Sequence, residues 1–388
     1  MTTLTHLECA SCGERYEASS RQGRCDCGGP LLARYDLELA RASWSREWVR
    51  NGPSNLWRYA PVLPVRQAES IVSLGEGMTP LVRMPKLGPE LGLERLWIKQ
   101  EGVNPTGSWK ARRMACAVSM ARELGFERLA IASPGNGAAA LAAYAAAAGL
   151  KATVRLAGTS PDAIRRECEF YGATVVEEAT DPGPDGKAAS PAARDVGPWQ
   201  EPYALEGAKT LAYELAEQFH WNAPDAILCP CGSGLAMAGL SKAFEELEAL
   251  EWIRPGKPML IAVRLQDEDS AGRIRPWLET DVGESCAREP VLAALRQSGG
   301  RLVEVPFEGL LEAGLRVARL EGLLPSPEGA ACVMALERAL AEGFLRPGAS
   351  IVLVDPAAGS RRVELYARRL RPAPVKAAAR QGGLITPR

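Results

Sequence analysis

The chain has 388 residues, of which 46% are hydrophobic and 24% are charged, and its formal net charge is -1. This composition is that of a globular protein with room for two domains, and it excludes a disordered or fibrous chain. The balanced charge argues against binding to nucleic acid or to an anionic membrane, so a small-molecule ligand is favoured. The chain has only two histidines, which argues against a Ser-His-Asp triad and a catalytic metal site built from several histidines.

Met1 to His6 lack both a basic segment and an apolar segment, so we expect no targeting signal there. The longest apolar run, from Ala138 to Gly149, is rich in alanine and too short to span a bilayer. We therefore expect a cytoplasmic protein that contacts no membrane. Ten cysteines in such a chain favour free thiols or a metal site over a framework of disulfides.

Four cysteines near the N-terminus predict a small zinc-ribbon-like module. Cys9 and Cys12 have the usual C-x2-C spacing, and four thiolates close a tetrahedral structural zinc site. Cys25 and Cys27 form a tighter C-x-C pair, so a metal-free hairpin with free cysteines stays open as the alternative. Residues 37–72, rich in Trp, Arg and Pro, are interpreted as a connecting arm that packs this module onto the main body.

From residue 71 onward, short apolar segments alternate with helical patterns of a dozen or more residues. This alternation predicts an α/β fold with largely parallel sheets that helices cover on both faces. Ligands of such sheets bind at the carboxyl ends of the strands, in the loops that follow them. The predicted strands are Leu96–Lys99, Leu129–Ala132, Ala152–Leu156, Thr174–Glu177, Ala226–Cys229, Leu260–Arg264, Leu302–Val305 and Ile351–Val354.

The first of these loops, Asn104-Pro-Thr-Gly-Ser-Trp-Lys110, places a lysine just before a helix predicted over Met114–Leu124. The positive end of the helix dipole and the neighbouring Arg112 and Arg113 disfavour an ammonium ion at this position. Lys110 is therefore a candidate amine nucleophile that forms a Schiff base. The alternative is an ordinary solvated lysine, and the other loops decide between the two.

The second loop, Ser133-Pro-Gly135-Asn136-Gly137, follows a strand and precedes the alanine-rich helix. Its hydroxyl, its amide and the free N–H groups at the helix start suit a carboxylate or a phenolic oxygen. A helix cap with glycines for the turn explains the same residues without any ligand.

The third loop, Gly232-Ser233-Gly234, again lies between a strand and a helix. Backbone amides with no bulky side chains form a cradle for an anion, which suits one phosphate group. The loop lacks the lysine of a Walker A motif, and no G-x-G-x-x-G unit with an acidic partner supports a dinucleotide.

A nucleophilic lysine, a Ser/Asn loop and a glycine cradle in this order resemble threonine synthase and its relatives among the fold-type II pyridoxal-phosphate enzymes. The resemblance runs from about residue 73 to the last predicted strand, and an N-terminal ribbon also occurs in some threonine synthase-like proteins. It implies two three-layer α/β domains with mainly parallel sheets, assembled as a homodimer. Besides the three loops, the motifs that carry it are Ser73–Leu81, Glu206–Thr210 and Pro325–Ala331.

The resemblance also implies domain boundaries. A large cofactor-binding domain would comprise residues 73–115 and 204–372, and a small α/β domain would comprise residues 116–203. The ribbon-like module would comprise residues 1–36, and residues 373–388 would form a loose tail.

By the resemblance, Lys110 would be the catalytic residue that binds pyridoxal 5'-phosphate as a Schiff base. Asn136 would bind the ring oxygen of the cofactor, and the glycine loop would cradle its phosphate. The implied cofactor-binding residues are Asn136, Gly232, Ser233, Gly234, Asp355 and Glu328. The implied substrate-binding residues are Ser133, Gly135, Gly137 and Thr79.

Several positions depart from the family pattern. Pro356 stands where relatives place a threonine against the pyridine nitrogen, and Asp355 in that role would keep the nitrogen protonated. In the lysine motif, Trp109 replaces the usual Phe and Arg113 the usual Gly. The glycine loop also lacks the threonines that are common in relatives.

Three functions are consistent with these motifs. The leading hypothesis is a threonine synthase-like lyase that performs elimination or replacement on a small amino acid, with O-phosphohomoserine as the default substrate. The second is a pyridoxal-phosphate-dependent lyase or synthase of a specialised pathway. The third is a non-catalytic homologue that lost the cofactor and serves as a binding or scaffold protein.

Overall fold

The computed structural model describes residues 2–158, 160–178, 193–266 and 288–367. The predicted tail at 373–388 lies outside the described residues. Strands and helices alternate along most of the chain. The strands are β1 (Leu4–Cys9), β2 (Arg15–Glu17), β3 (Leu31–Tyr35), β4 (Leu81–Arg83), β5 (Leu96–Gln100), β6 (Arg128–Ala132), β7 (Lys151–Ala157), β8 (Thr174–Glu178), β9 (Arg194–Asp195), β10 (Ala226–Pro230), β11 (Met259–Leu265), β12 (Arg301–Val305) and β13 (Ile351–Asp355).

Capping residues mark the ends of several helices. Ser326 caps one of them by accepting a hydrogen bond from the Gly329 N–H, and Gly149 ends another in the left-handed conformation, with φ of 70°. The helices are α1 (Leu37–Ser43), α2 (Arg46–Arg50), α3 (Leu87–Glu90), α4 (Lys110–Glu123), α5 (Asn136–Ala148), α6 (Asp162–Phe170), α7 (Ala204–Gln218), α8 (Leu235–Ala249), α9 (Arg288–Ser298), α10 (Leu310–Glu321), α11 (Pro327–Ala341) and α12 (Val363–Ala367).

The N-terminal ribbon is an antiparallel sheet in the order β2-β1-β3. The arm that follows contains α1 and α2. Trp44, between these two helices, is buried and lies against the rings of Tyr213 and Trp252, at centroid distances of 6.2 and 4.3 Å. Aromatic contacts therefore hold the arm against the main body.

The larger sheet has the strand order β12-β11-β10-β13-β5-β4. Its pairs are parallel except for β4, which runs antiparallel to β5 at one edge. All five residues of β13 are buried, as expected for a parallel strand that helices cover on both faces. Because β10 and β13 are neighbours, the loops that follow them meet at the same end of the sheet.

The smaller sheet has the order β8-β7-β6-β9, and its pairs are all parallel. Its strands lie between residues 116 and 203, whereas the strands of the larger sheet lie in 73–115 and 204–372. The alanine-rich α5 packs against α4 and β7, which joins the two parts of the molecule. Small side chains permit this close approach.

Apolar clusters cover both faces of the larger sheet. Consecutive residues alternate between them, so that Ile227 and Val352 belong to one cluster and Leu228 and Leu353 to the other. The first cluster also contains the buried faces of α4, α5, α7 and α8, and the second contains that of α11. The loops at the carboxyl ends of the strands therefore project from a sheet that is packed on both faces.

The α/β fold with mainly parallel sheets is confirmed, and each of the eight predicted strands agrees with the structure to within one residue at either end. The predicted helix over 114–124 begins earlier, at Lys110. The strands β4 and β9 were missed because they are short edge strands, which carry little periodic signal. Among the described residues, no helix is long and apolar enough to cross a membrane.

Candidate active site

A cleft opens at the carboxyl ends of β10 and β13. Segments from distant parts of the sequence meet there, as expected for an open parallel sheet. The lining residues are Trp109, Lys110, Asn136, Pro230, Gly232, Ser233, Gly234, Ala236, Glu328, Pro356 and Ala357. The cleft thus brings together residues from the three loops predicted to bind ligands.

Lys110 is the first residue of α4, and its side chain is only 3% exposed. The turn before it reverses the chain through left-handed Thr106 and Gly107, with φ of 58° and 67°. Its Nζ lies 4.3 Å from the centroid of the Trp109 ring, which gives the amine an aromatic neighbour in place of bulk water. The lysine turn therefore holds a desolvated amine at the wall of the cleft.

Backbone hydrogen bonds tie the lysine turn to the segment after β13. The Trp109 N–H donates to the Pro356 carbonyl at 2.9 Å, and the Ala358 N–H donates to the Gly107 carbonyl at 2.9 Å. These bonds do not depend on side-chain chemistry. Pro356 can therefore occupy this turn without loosening the position of Lys110.

The glycine loop connects β10 to α8. Gly234 has a φ of 76°, a conformation that favours glycine, and it immediately precedes the first residue of α8. Trp199 donates through Nε1 to the Ser233 carbonyl at 2.6 Å and holds the loop in place. Because the first N–H groups of a helix lack partners within it, this loop presents donors to an anion.

Asn136 is the first residue of α5 and lines the same cleft. Its Oδ1 accepts a hydrogen bond from Arg361 Nε at 3.1 Å. Ser133, Gly135 and Gly137 form the surrounding turn but do not line the cleft themselves. An added Cβ at Gly137 would lie 2.8 Å from Ser133 Oγ, so glycine keeps this turn tight.

Two carboxyl groups lie near the start of α11, and only one of them faces the cleft. Glu328 lines the cleft, whereas Asp355, predicted to bind the cofactor, is 3% exposed and does not line it. Asp355 Oδ1 accepts hydrogen bonds from the N–H and hydroxyl groups of Ser326, at 3.0 and 2.7 Å. Burial raises the pKa of Asp355 to about 7, although the bonds from Ser326 oppose this shift. The structure therefore assigns Asp355 to the support of α11.

Thr79, predicted to bind the substrate, lies in a buried ionic cluster. It is 1% exposed, and its hydroxyl donates to Glu101 at 2.6 Å and to Glu214 at 3.1 Å. The same cluster contains Arg112, whose Nε bonds Glu101 at 2.7 Å and whose Nη1 bonds Glu214 at 2.8 Å. Two carboxylates therefore balance the Arg112 charge within this cluster, and its expected effect on an ammonium at Lys110 stays a prediction.

Glu214 stays ionised in this cluster in spite of burial. Burial alone raises the pKa of Glu214, but the charges of Arg112 and Lys99 lower it to about 2. Asn104, at the start of the lysine turn, donates to Glu101 Oε2 at 2.9 Å. The cluster thus holds the lysine turn in place through Asn104. The sequence offered no signal for it beyond the charged residues themselves.

The four N-terminal cysteines converge in the ribbon. Their Sγ atoms all lie within 4.8 Å of one another, with 3.6 Å between Cys9 and Cys27 and 3.5 Å between Cys12 and Cys25. A tetrahedral zinc ion with Zn–S bonds of about 2.3 Å separates its sulfur ligands by about 3.8 Å. The spacing therefore fits four thiolates around one metal ion.

The fold is that of a fold-type II pyridoxal-phosphate enzyme. The family model described as "Pyridoxal-phosphate dependent enzyme" matches residues 72–356, and the chain belongs to this family. The predicted family and the predicted fold type are thus confirmed.

Within the family, the chain is similar to curated threonine synthases. It is 33% identical over 374 residues to that of Methanocaldococcus jannaschii, covering 90% of this chain and 91% of the relative. It is 30% identical over 376 residues to that of Methanosarcina acetivorans, with the same coverage. Among solved structures, O-ureido-L-serine synthase matches with a TM-score of 0.60 and 20% identity, over 76% of this chain and 94% of that chain, which supports the fold alone.

Proposed function

We propose that the protein is a pyridoxal-phosphate-dependent enzyme that catalyses elimination or replacement on a small amino acid. The default reaction is that of a threonine synthase, in which O-phosphohomoserine and water give threonine and phosphate. The observation that carries the proposal is one cleft that contains both the desolvated amine of Lys110 and the donors of Gly232–Gly234. The similarity to threonine synthases over most of the chain supports it.

The residues present fit pyridoxal phosphate. Its aldehyde needs a buried amine, which Lys110 supplies, and its phosphate needs a donor-rich turn, which the start of α8 supplies. Its ring oxygen needs a hydrogen-bond donor, and Asn136 lines the cleft. When bound, pyridoxal phosphate supplies an electron sink for carbanion chemistry at the substrate α carbon.

The residues of the cleft have separate roles in the proposed reaction. Lys110 would accept the proton from the substrate α carbon and return a proton where the reaction requires it, because it is the lysine that lines the cleft. The turn from Ser133 to Gly137 reaches the cleft at Asn136, and its N–H groups would bind the substrate carboxylate there. Trp109 and Pro356 would exclude water from the amine.

A second candidate function follows from the turn after β13. Pro356 has no side-chain donor there, and Glu328 is a carboxylate of the cleft wall. A wall of this composition would favour a pyridoxal-phosphate-dependent lyase or synthase that acts on a different small amino acid.

Visible absorption tests the proposal. We expect the purified protein to bind pyridoxal phosphate with a visible band that borohydride abolishes, and Lys110→Ala to lack that band. Lys86→Ala, at an exposed position before α3, is the matched control and keeps it. If the wild-type protein takes up no cofactor, both enzyme hypotheses are refuted and the non-catalytic homologue is the remaining hypothesis. With O-phosphohomoserine, formation of both threonine and phosphate supports the default reaction, and phosphate without threonine supports a lyase that eliminates phosphate without adding water.

We also propose that Cys9, Cys12, Cys25 and Cys27 hold one structural zinc ion. The sulfur spacing supports this, and so do the backbone donors around the cluster. The N–H of Ser11 points to Cys9 Sγ and that of Gly29 to Cys27 Sγ, both at 3.4 Å. Such donors stabilise thiolates. The homodimer stays a prediction from the resemblance.

A further inference from the structure

Arg361 joins the segment after β13 to the smaller sheet's helices. It lies in the short 3-10 turn Gly359–Arg362 and is partly buried. Its Nε donates to Asn136 Oδ1 at 3.1 Å, and its Nη2 donates to Glu167 Oε2 at 2.5 Å. Asn136 begins α5 and Glu167 lies on α6, so one guanidinium connects three elements.

The aliphatic part of Arg361 also crosses the lysine turn. A Cβ added at Gly107 would lie only 2.8 Å from Cδ of Arg361, so glycine leaves the space for this crossing. Gly107 lies three residues before Lys110. Arg361 therefore contacts two of the segments that form the cleft.

The chemistry of this contact determines the orientation of the Asn136 amide. An amide has an acceptor oxygen and a donor nitrogen, whereas a guanidinium has donors only. Arg361 thus holds Oδ1 and leaves the Nδ2 donors available to the cleft that Asn136 lines. The flipped amide would set donor against donor. The ion pair with Glu167, in which Nη1 also lies 3.5 Å from Oε1, keeps Arg361 in place.

We propose that Arg361 is a positioning residue that orients Asn136 to donate a hydrogen bond to an anionic oxygen in the cleft. The inference rests on the proposed function, in which this oxygen is the ring oxygen of pyridoxal phosphate. A donor at that oxygen favours the form of the bound cofactor with more negative charge. The Asn136 donor therefore lowers the pH of the midpoint at which the visible band of the bound cofactor titrates.

The test is a pH titration of the visible spectrum of cofactor-loaded variants. Arg361→Met and Asn136→Ala are each expected to move the spectral midpoint to higher pH by about one unit. Asn136→Ala removes the donor to the anionic oxygen of the cofactor, and Arg361→Met removes the bond that orients this donor. The double variant should match Asn136→Ala alone, since Arg361 acts through Asn136. Arg361→Lys keeps a donor, so its spectral midpoint should lie between that of the wild type and that of Arg361→Met.

Glu167→Gln should shift the midpoint in the same direction by less, because Arg361 keeps its bond to Asn136. Glu169→Gln is the matched control on the same helix, since Glu169 is exposed and pairs with Arg166 instead. It should leave the midpoint unchanged.

Two results would overturn the positioning role. One is an unshifted midpoint in Arg361→Met, and the other is a full shift by Arg361→Met in the Asn136→Ala background, which would mean that Arg361 acts by charge alone. If the wild-type protein shows the borohydride-sensitive band, these failures leave the proposed function intact. If it binds no pyridoxal phosphate, the proposed function and this inference fall together.

Discussion

At the scale of single residues, two neighbouring carboxyl groups have different roles. The position of Asp355 beside Pro356 suggests a partner for the cofactor, but its side chain is turned to the start of α11. Gly329 permits this packing, since a Cβ there would lie 2.5 Å from Asp355 Oδ1. Glu328 instead faces the cleft. Asp355 ends β13 and Glu328 lies in the first turn of α11, so the two carboxyl groups reach this region from different elements and face different sides.

Asp355→Asn is expected to flatten the pH dependence of stability. Burial raises the pKa of Asp355 from its ordinary value of 3.8 to about 7. A carboxyl group with a raised pKa in the folded state contributes stability below its unfolded pKa, and this is lost as pH rises through the folded pKa. Between about pH 4 and pH 7 the wild type should lose about 2–4 kcal/mol of unfolding free energy that the variant keeps.

Urea unfolding at several pH values measures this difference. Asp162→Asn is the control, because Asp162 is exposed on α6. Parallel stability curves for Asp355→Asn and the wild type would contradict the prediction.

At the scale of elements, the position of Lys110 depends on how closely α4 and α7 pack. A Cβ added at Gly207 would lie 1.9 Å from the Arg112 carbonyl, so only glycine permits this approach. Glu206 and Lys209, on either side of it, form buried ion pairs with each other and with α8. The motif Glu206–Thr210, which carried part of the family resemblance, is therefore a packing motif. It supports the helix that begins at the candidate catalytic lysine.

Gly207→Ala is expected to lower the free energy of unfolding by about 3 kcal/mol, because a backbone clash in a packed core forces the helices apart. Displacement of α4 should also weaken retention of pyridoxal phosphate. Thermal unfolding and cofactor release during dialysis measure the two effects. Gly348→Ala is the control, since a Cβ there meets nothing within 4 Å. Equal effects of the two substitutions would contradict the prediction.

At the scale of the whole molecule, the ribbon packs against the main body away from the cleft. The ring of Tyr35, at the end of β3, lies 4.1 Å from Lys209 Nζ and 4.7 Å from Lys242 Nζ. Tyr203 donates through its hydroxyl to the Ala18 carbonyl at 3.1 Å. The ribbon thus contacts α7, α8 and the segment before them, and none of its residues lines the cleft.

Removal of metal is therefore expected to affect stability more than the cofactor site. Metal analysis should find about one zinc per chain, and a chelator or Cys12→Ser should remove it and lower the unfolding temperature. The visible band of bound pyridoxal phosphate should keep its wavelength. Ser11→Ala is the control, because the Ser11 backbone N–H, not its hydroxyl, bonds Cys9. A protein that contains no zinc and is insensitive to the chelator would refute the proposed zinc site.

The sequence by itself determined the eight predicted strands, the α/β class and the three loops that contribute to the cleft. These features depend on local hydrophobic period and turn chemistry, which neighbouring residues encode. The resemblance to threonine synthases added the expected cofactor and agrees with the Schiff-base role that the lysine loop predicts for Lys110.

Only the tertiary structure decided which side chains face the cleft and which support it. It placed Thr79 and Arg112 in a buried ionic cluster. It also placed Asp355 against the start of α11 and Arg361 against Asn136. These contacts join residues that are far apart in the chain, and their geometry follows from the packing of whole helices on the sheet. No local pattern in the sequence encodes such long-range contacts, which is why the partner of Asn136 emerged only from the folded protein.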